Sequence, residues 1–179
     1  MTTQVPGKRA GRVMLVLAWG AALLLATRFF ADWEEQRRNP NANPESVTRG
    51  GYVEVVLASG RQGHYMAGGK INGEPVTFLL DTGATQVAVP VDLAQRLGLE
   101  PGAQIVINTA NGRANAHRTR LKQLQLGDIV LKDVPALIAP GMQGDDVLLG
   151  MSALKQLEFT QRDGNLLLRQ SITQQPTLQ

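Results

Sequence analysis

The residues best suited to chemistry lie in one run, Phe78-Leu79-Leu80-Asp81-Thr82-Gly83-Ala84-Thr85. An acid follows an apolar strand pattern and is pressed against a hydroxyl and a glycine. Burying a carboxylate beside apolar residues is costly unless it is hydrogen-bonded, paired or protonated. A bare Asp-Thr-Gly arises by chance in roughly one in thirty chains of this length, so the tripeptide alone is weak evidence. The plain alternative is a strand running into a turn, since Asp, Thr and Gly all favour turns. Three neighbours weigh against that alternative. Val76, Phe78, Leu79 and Leu80 read as a buried strand, and Gln86-Val87-Ala88-Val89-Pro90 resumes a strand after the turn. Far downstream, Asp146-Val147-Leu148-Leu149-Gly150-Met151-Ser152 gives a second apolar-apolar-Gly element that leads into a short helix.

The elements around these residues are mostly strands. Tyr52 to Leu57 is a β-branched run, and Asn72-Gly73 is a strong two-residue hairpin signal whose return strand, Val76 to Leu80, delivers Asp81. Val91 to Leu97 has helical spacing stopped by Gly98. Ile105-Val106-Ile107 and Arg118 to Leu121 flank a second Asn-Gly, Asn111-Gly112. Leu124-Gln125-Leu126 and Ile129-Val130-Leu131 flank Gly127-Asp128, Ser152 is placed to cap a helix through Leu157, and Asp163-Gly164 turns a closing hairpin. Short strands with regular turn signals predict an all-β, closed-barrel domain with one or two short helices.

With this frame, residues 51–169 resemble the retropepsin-like aspartic proteases, and most closely their bacterial membrane-anchored branch. The resemblance rests on the Asp-Thr-Gly-Ala-Thr loop, Gly63-His64-Tyr65 before Asn72-Gly73, Thr109-Ala110-Asn111-Gly112 and Leu148-Leu149-Gly150-Met151. It implies a retropepsin-like barrel and peptide hydrolysis in which one carboxylate activates a water while a second donates to the scissile carbonyl. Two such groups about 3 Å apart cannot both ionise, which yields an acid and a base from identical residues. The chain has no second Asp-Thr-Gly or Asp-Ser-Gly. The simplest resolution is a two-fold homodimer in which each copy contributes Asp81. The resemblance also implies supporting roles for the rest of the loop. Gly83 would offer an N–H to the carboxylate, Thr82 would hydrogen-bond across the dimer axis, and Ala84 and Thr85 would shape the edge of the dyad. Thr109, Ala110, Asn111 and Gly112 would form a flap that closes over an extended polypeptide substrate, and Leu148, Leu149 and Gly150 would pack behind the catalytic loop. The rival reading is a retropepsin-like dimerisation or peptide-binding module without turnover.

Composition narrows the alternatives. Four basic residues and no acid lie in residues 1–31; the other 148 hold 14 basic against 15 acidic groups, a net of −1. The folded part is therefore expected to lack a basic stripe for a phosphate backbone, and nucleic acid is not an expected partner. The two histidines, His64 and His117, stand far apart with no acidic cluster, there is no cysteine, and no Gly-x-Ser-x-Gly elbow occurs. No metal, cofactor or disulfide is expected.

Residues 13–31 contain a single charge, Arg28, and as a helix would span about 28 Å, near the thickness of a bilayer core. They read as an uncleaved transmembrane anchor; a cleaved signal peptide is the alternative. Lys8, Arg9 and Arg12 in residues 1–12 favour a cytoplasmic N-terminus and a domain on the far side, the periplasm in a Gram-negative bacterium. Residues 32–50, with Pro40 and Pro44, are expected to be a flexible juxtamembrane linker, and residues 170–179 a frayed tail. Both Trp and two of four Phe lie in or beside the anchor, so the core of residues 51–169 must rest on Val, Leu and Ile.

Overall fold

The computed structural model describes residues 7–60, 63–109, 112–142 and 144–172, with the backbone alone for residues 7–10 and 31–38. Two compact units result, Met1–Arg37 and Arg38–Gln179. The first is dominated by a helix, α1, over Gly7–Arg38. Its Gly11–Phe30 stretch is long and apolar enough to cross a membrane, and none of its residues is buried.

The second unit is mostly β. β1 (Ser46–Arg49) and β2 (Tyr52–Ala58) are followed by β3 (Tyr65–Ile71), β4 (Glu74–Leu80) and β5 (Val87–Pro90). The helix α2 (Val91–Arg96), β6 (Gln104–Thr109), β7 (Gly112–Leu126) and β8 (Ile129–Ala139) come next. β9 (Asp146–Leu149), α3 (Met151–Leu154), β10 (Glu158–Arg162) and β11 (Asn165–Ser171) complete the unit. Seven strands run in the order β3-β4-β9-β5-β8-β7-β6, and β3 also pairs with β7 through Ile71 and Leu124, which closes the sheet into a barrel. The other four form a sheet in the order β1-β2-β11-β10. The inward faces of both sheets meet in one core, where Val55, Leu57 and Leu168 pack with Phe78, Leu121, Ile129 and Leu149. Apart from Phe78 and Tyr65 that core is aliphatic, as the composition requires.

Turn chemistry sets the hairpins. Asn72 and Gly73 both adopt positive φ, 52° and 92°, which a two-residue turn matched to strand twist demands. Asp163 and Gly164 do the same between β10 and β11, at 51° and 76°. α2 stops where expected, with Gly98 left-handed at φ 61° and its N–H bonded to the Gln95 carbonyl.

Three expectations change. The stretches 118–121 and 124–126 are one strand, β7, because nothing between Gly112 and Gly127 breaks an extended chain. The irregularity falls on the facing strand, where Asp133 takes φ 52° and its carbonyl accepts from Arg120 at 2.7 Å. The expected linker is folded from Asn39 onward. Asn41 is buried; its side-chain amide donates to the carbonyls of Ala58 (2.9 Å) and Met66 (2.7 Å), and its Oδ1 accepts from the Ala58 N–H (2.7 Å). Its own carbonyl accepts from Gly68, and β1 then pairs with β2. The polar composition that suggests a flexible tether here satisfies buried backbone groups instead. Finally, α3 is only four residues long, and its N-cap is Gly150, not Ser152.

Candidate active site

β4 runs parallel to β9, with Leu79 opposite Leu148 and Leu80 opposite Leu149, and the Asp81 N–H extends that ladder to the Leu149 carbonyl at 3.2 Å. The chain then turns: the Ala84 N–H bonds to the Asp81 carbonyl (3.2 Å), and the Gly83 N–H donates to Asp81 Oδ1 (2.8 Å). The carboxylate is thereby oriented by its own loop. Asp81 and Ala84 are half-buried, whereas Thr82, Gly83 and Thr85 are exposed.

Behind the loop sits the second apolar-apolar-Gly element. Met151 N–H donates to the Ala84 carbonyl (2.8 Å) and Ser152 N–H to the Thr85 carbonyl (3.1 Å). Gly150 is demanded by this approach. A Cβ there would fall 2.3 Å from the Gln86 carbonyl oxygen and 2.7 Å from that of Ala84, both backbone atoms that could not yield alone. Leu149 is buried and Leu148 lies opposite Ala88 of β5, so the element joins the strands entering and leaving the loop.

Ser152 has a role that sequence reasoning missed. Its buried hydroxyl donates to the Pro135 carbonyl of β8 (2.7 Å) and accepts from the Val87 N–H (2.9 Å). It thus joins α3, β8 and the first residue of β5. The signal available in sequence was only a small hydroxyl residue two positions after Gly150, which reads as an ordinary cap.

Asp81 and Thr82 line a cavity of about 370 Å³, together with His64, Tyr65, Phe159 and Gln161 among others. His64 and Tyr65, quoted above for the family element before the hairpin, are therefore brought to Asp81. The predicted flap is a β6–β7 hairpin in which Thr109 pairs with Gly112 and its Oγ1 donates to the Gly112 carbonyl (2.8 Å). Ala110 and Asn111 lie outside the described residues. Among the described residues no cluster of His, Asp or Glu could hold a metal ion. The expected lack of a basic stripe is corrected: Arg118, Arg120 and Lys122 are all exposed at alternate positions of β7 and line a separate groove with Glu100.

A closed barrel carrying Asp-Thr-Gly on a loop backed by Leu-Leu-Gly defines a retropepsin-like aspartic protease fold. A family model described as gag-polyprotein putative aspartyl protease matches residues 67–156, which include the loop and the element behind it. The chain belongs to that family. A crystal structure of a retropepsin-like aspartic protease from Rickettsia conorii is similar with a TM-score of 0.54 and 26% identity, covering 70% of this chain and 95% of that one. A Sinorhizobium protein encoded in the cobV 5′ region is 36% identical over 123 residues, which is 66% of this chain and 53% of the relative. A Rickettsia prowazekii protein is 29% identical over 118 residues, covering 64% of this chain and 50% of the relative. The chain thus spans about half the length of these two relatives.

Proposed function

We propose that the protein is an aspartic endopeptidase whose active unit is a homodimer, each copy contributing Asp81 to one dyad. The observation that carries this reading is the Asp81 carboxylate, aimed by the Gly83 N–H at the edge of a cavity, with one such loop per chain. A water held between two facing carboxylates would lose a proton to one and attack the scissile carbonyl, while the other donates its proton to the carbonyl oxygen. Proton sharing makes the pair both base and acid. Gly83 fixes the carboxylate, Ala84 and Thr85 form the rim of the loop, and Thr82 carries the loop toward its mate. The β6–β7 hairpin, whose flap segment by resemblance is Thr109, Ala110, Asn111 and Gly112, closes on an extended polypeptide and pairs with its backbone. α1 anchors the chain in a membrane with its basic N-terminus in the cytoplasm and the β unit on the opposite side.

The test is Asp81→Asn in the full chain, held in detergent micelles and offered a peptide library from acid to neutral pH. The amide oxygen keeps an acceptor for the Gly83 N–H, so the loop and fold persist while proton exchange within the dyad is lost. Cleavage by the wild type alone, with a rate that rises faster than linearly with protein, is expected. Equal cleavage by the variant would refute the mechanism; a folded, dimeric wild type that cleaves nothing would favour a peptide-binding module.

A further inference from the structure

We propose that the basic groove along β7 is an exosite that holds an acidic stretch of the polypeptide substrate, about five residues from the bond that is cut; the inference rests on the endopeptidase reading above. Arg118, Arg120 and Lys122 occupy alternate positions of β7 and are all exposed, so they leave one face of the strand at intervals of about 7 Å. Alternate residues of an extended polypeptide repeat at the same interval. The groove measures about 1090 Å³, against about 370 Å³ for the cavity beside Asp81.

Charge is concentrated here. Among the described residues the other ionisable group on the groove's walls is Glu100, so three cations face one acid, a net of +2. Residues 32–179 as a whole carry −1. Among the described residues no carboxylate forms an ion pair with Arg118, Arg120 or Lys122; Arg120 donates only to the neutral carbonyl of Asp133, at 2.7 Å. A cleft lined by one sign of charge attracts ligands of the other. One wall is also built in advance. The segment after α2 is tied to β7 by the Gly102 N–H on the Arg118 carbonyl (2.7 Å), the Arg118 N–H on the Ala103 carbonyl (3.0 Å) and the Thr119 hydroxyl on the Glu100 carbonyl (2.9 Å). Gly102 is demanded by that approach, since a Cβ there would fall 2.9 Å from the Arg118 carbonyl oxygen.

Two elements that flank the substrate's path run into this groove. Gln86 stands on its wall, directly after Thr85 at the loop rim and five residues after Asp81. Five residues span at most about 18 Å, so a polypeptide lying extended at Asp81 reaches the groove in about five residues. On the other side, β7 is the outgoing strand of the hairpin that closes on the substrate, and Arg118 stands six residues after Gly112. In a two-fold dimer one groove would lie toward each end of the substrate, so acids on either side of the scissile bond would be read. A polynucleotide fits less well. Among the described residues no aromatic ring lines the groove for bases to stack on, and Glu100 would face the phosphates.

The test measures binding as well as cleavage, with the full chain in micelles. The probe is a fluorescein-labelled peptide, uncharged except for Glu at three alternate positions in its last five residues; the same peptide with Gln or Lys there is the control. Asp81→Asn protein, which binds without cleaving, should hold the Glu peptide about tenfold more tightly than the Gln peptide at low salt, as three exposed ion pairs of modest worth would give. The difference should shrink as salt is raised. Adding Arg118→Glu and Lys122→Glu leaves Arg120 on the Asp133 carbonyl and should reverse the order, so that the Lys peptide binds best; a variant that fails to fold cannot gain this preference. In the wild type, a library peptide that is cut should show the same order in KM, with kcat unchanged, when it carries these extensions about five residues from the cut. Equal affinity for the Glu and Gln peptides, or a Glu preference that survives the charge reversal, overturns the exosite whether or not the protein cleaves. A Glu preference that reverses in the variant, in a protein that cleaves no peptide, upholds the groove as a site for acidic polypeptide and overturns only the endopeptidase reading. An oligothymidylate bound more tightly than the Glu peptide would give the groove to a phosphate backbone and overturn the proposal.

Discussion

Ser152→Ala removes one oxygen atom, yet it should weaken the fold and the site together. Ser152 is 5% exposed, and its hydroxyl holds two backbone groups, the Val87 N–H at 2.9 Å and the Pro135 carbonyl at 2.7 Å. Each bond contributes about 0.5–1.5 kcal/mol net, and a buried N–H left without a partner costs about 1–3 kcal/mol. Alanine leaves too small a gap for water to enter and repair both. The expected loss is therefore about 2–3 kcal/mol, or roughly 8 °C in Tm for a unit of this size. Thermal unfolding of the full chain in micelles, followed by circular dichroism, measures it. Ser59→Ala is the control, because its exposed hydroxyl makes only a long 3.3 Å bond to Gly60, and it should change Tm by under about 2 °C. Cleavage should also fall in Ser152→Ala at temperatures where the variant remains folded, since Val87 begins the strand that leaves the catalytic loop. A Tm within about 1 °C of wild type would refute the claim that this hydroxyl bears on the packing.

Gly150→Ala drives a methyl group into the Gln86 and Ala84 carbonyls; it should cost about 1–3 kcal/mol or more and reduce cleavage at least tenfold in protein that is still folded, read as kcat beside a urea melt. Asn41→Ala loses three hydrogen bonds to Ala58 and Met66 and should lower stability by about 2–4 kcal/mol, visible as a shift in urea midpoint. Removing residues 1–37 should leave the Tm of the β unit unchanged, whereas removal through residue 45 should lower it by the Asn41 increment; equal melts for both truncations would show that the Asn41 contacts do not bear on stability.

What could be read directly from sequence was what local chemistry dictates. Asn72-Gly73 and Asp163-Gly164 announce their turns because few other residues accept positive φ at both positions. Phe78-Leu79-Leu80 announces a buried strand because an apolar run must find a core, and the loop that follows belongs to a recognisable family. Asn41 and Ser152 could not be found this way. Their partners lie between 17 and 65 residues off in the chain, and a single polar side chain that satisfies distant backbone groups leaves no periodic trace. The same blindness hid β1: four residues of middling β propensity become a strand only because Tyr52–Val55 offers them an edge. Arg118, Arg120 and Lys122 were overlooked for a different reason. Net charge averages over a surface, whereas alternate residues of one strand share a face.

Several bonds within a single chain already hold Asp81 in place. Its carboxylate is oriented by Gly83, its loop is tied by Met151 and Ser152 to Ala84 and Thr85, and Ser152 ties the next strand to β8. None requires a second copy. Folding and assembly should therefore separate: the full chain in micelles, diluted until it is monomeric by mass, should keep its β-sheet circular dichroism. Its cleavage rate at dilution should fall with the dimer population and recover at high concentration, since a dyad assembled from two preformed halves depends on protein concentration while each half does not. Loss of the fold in parallel with loss of dimer would instead mean that the loop's own hydrogen bonds are insufficient, and that the partner is part of what folds it.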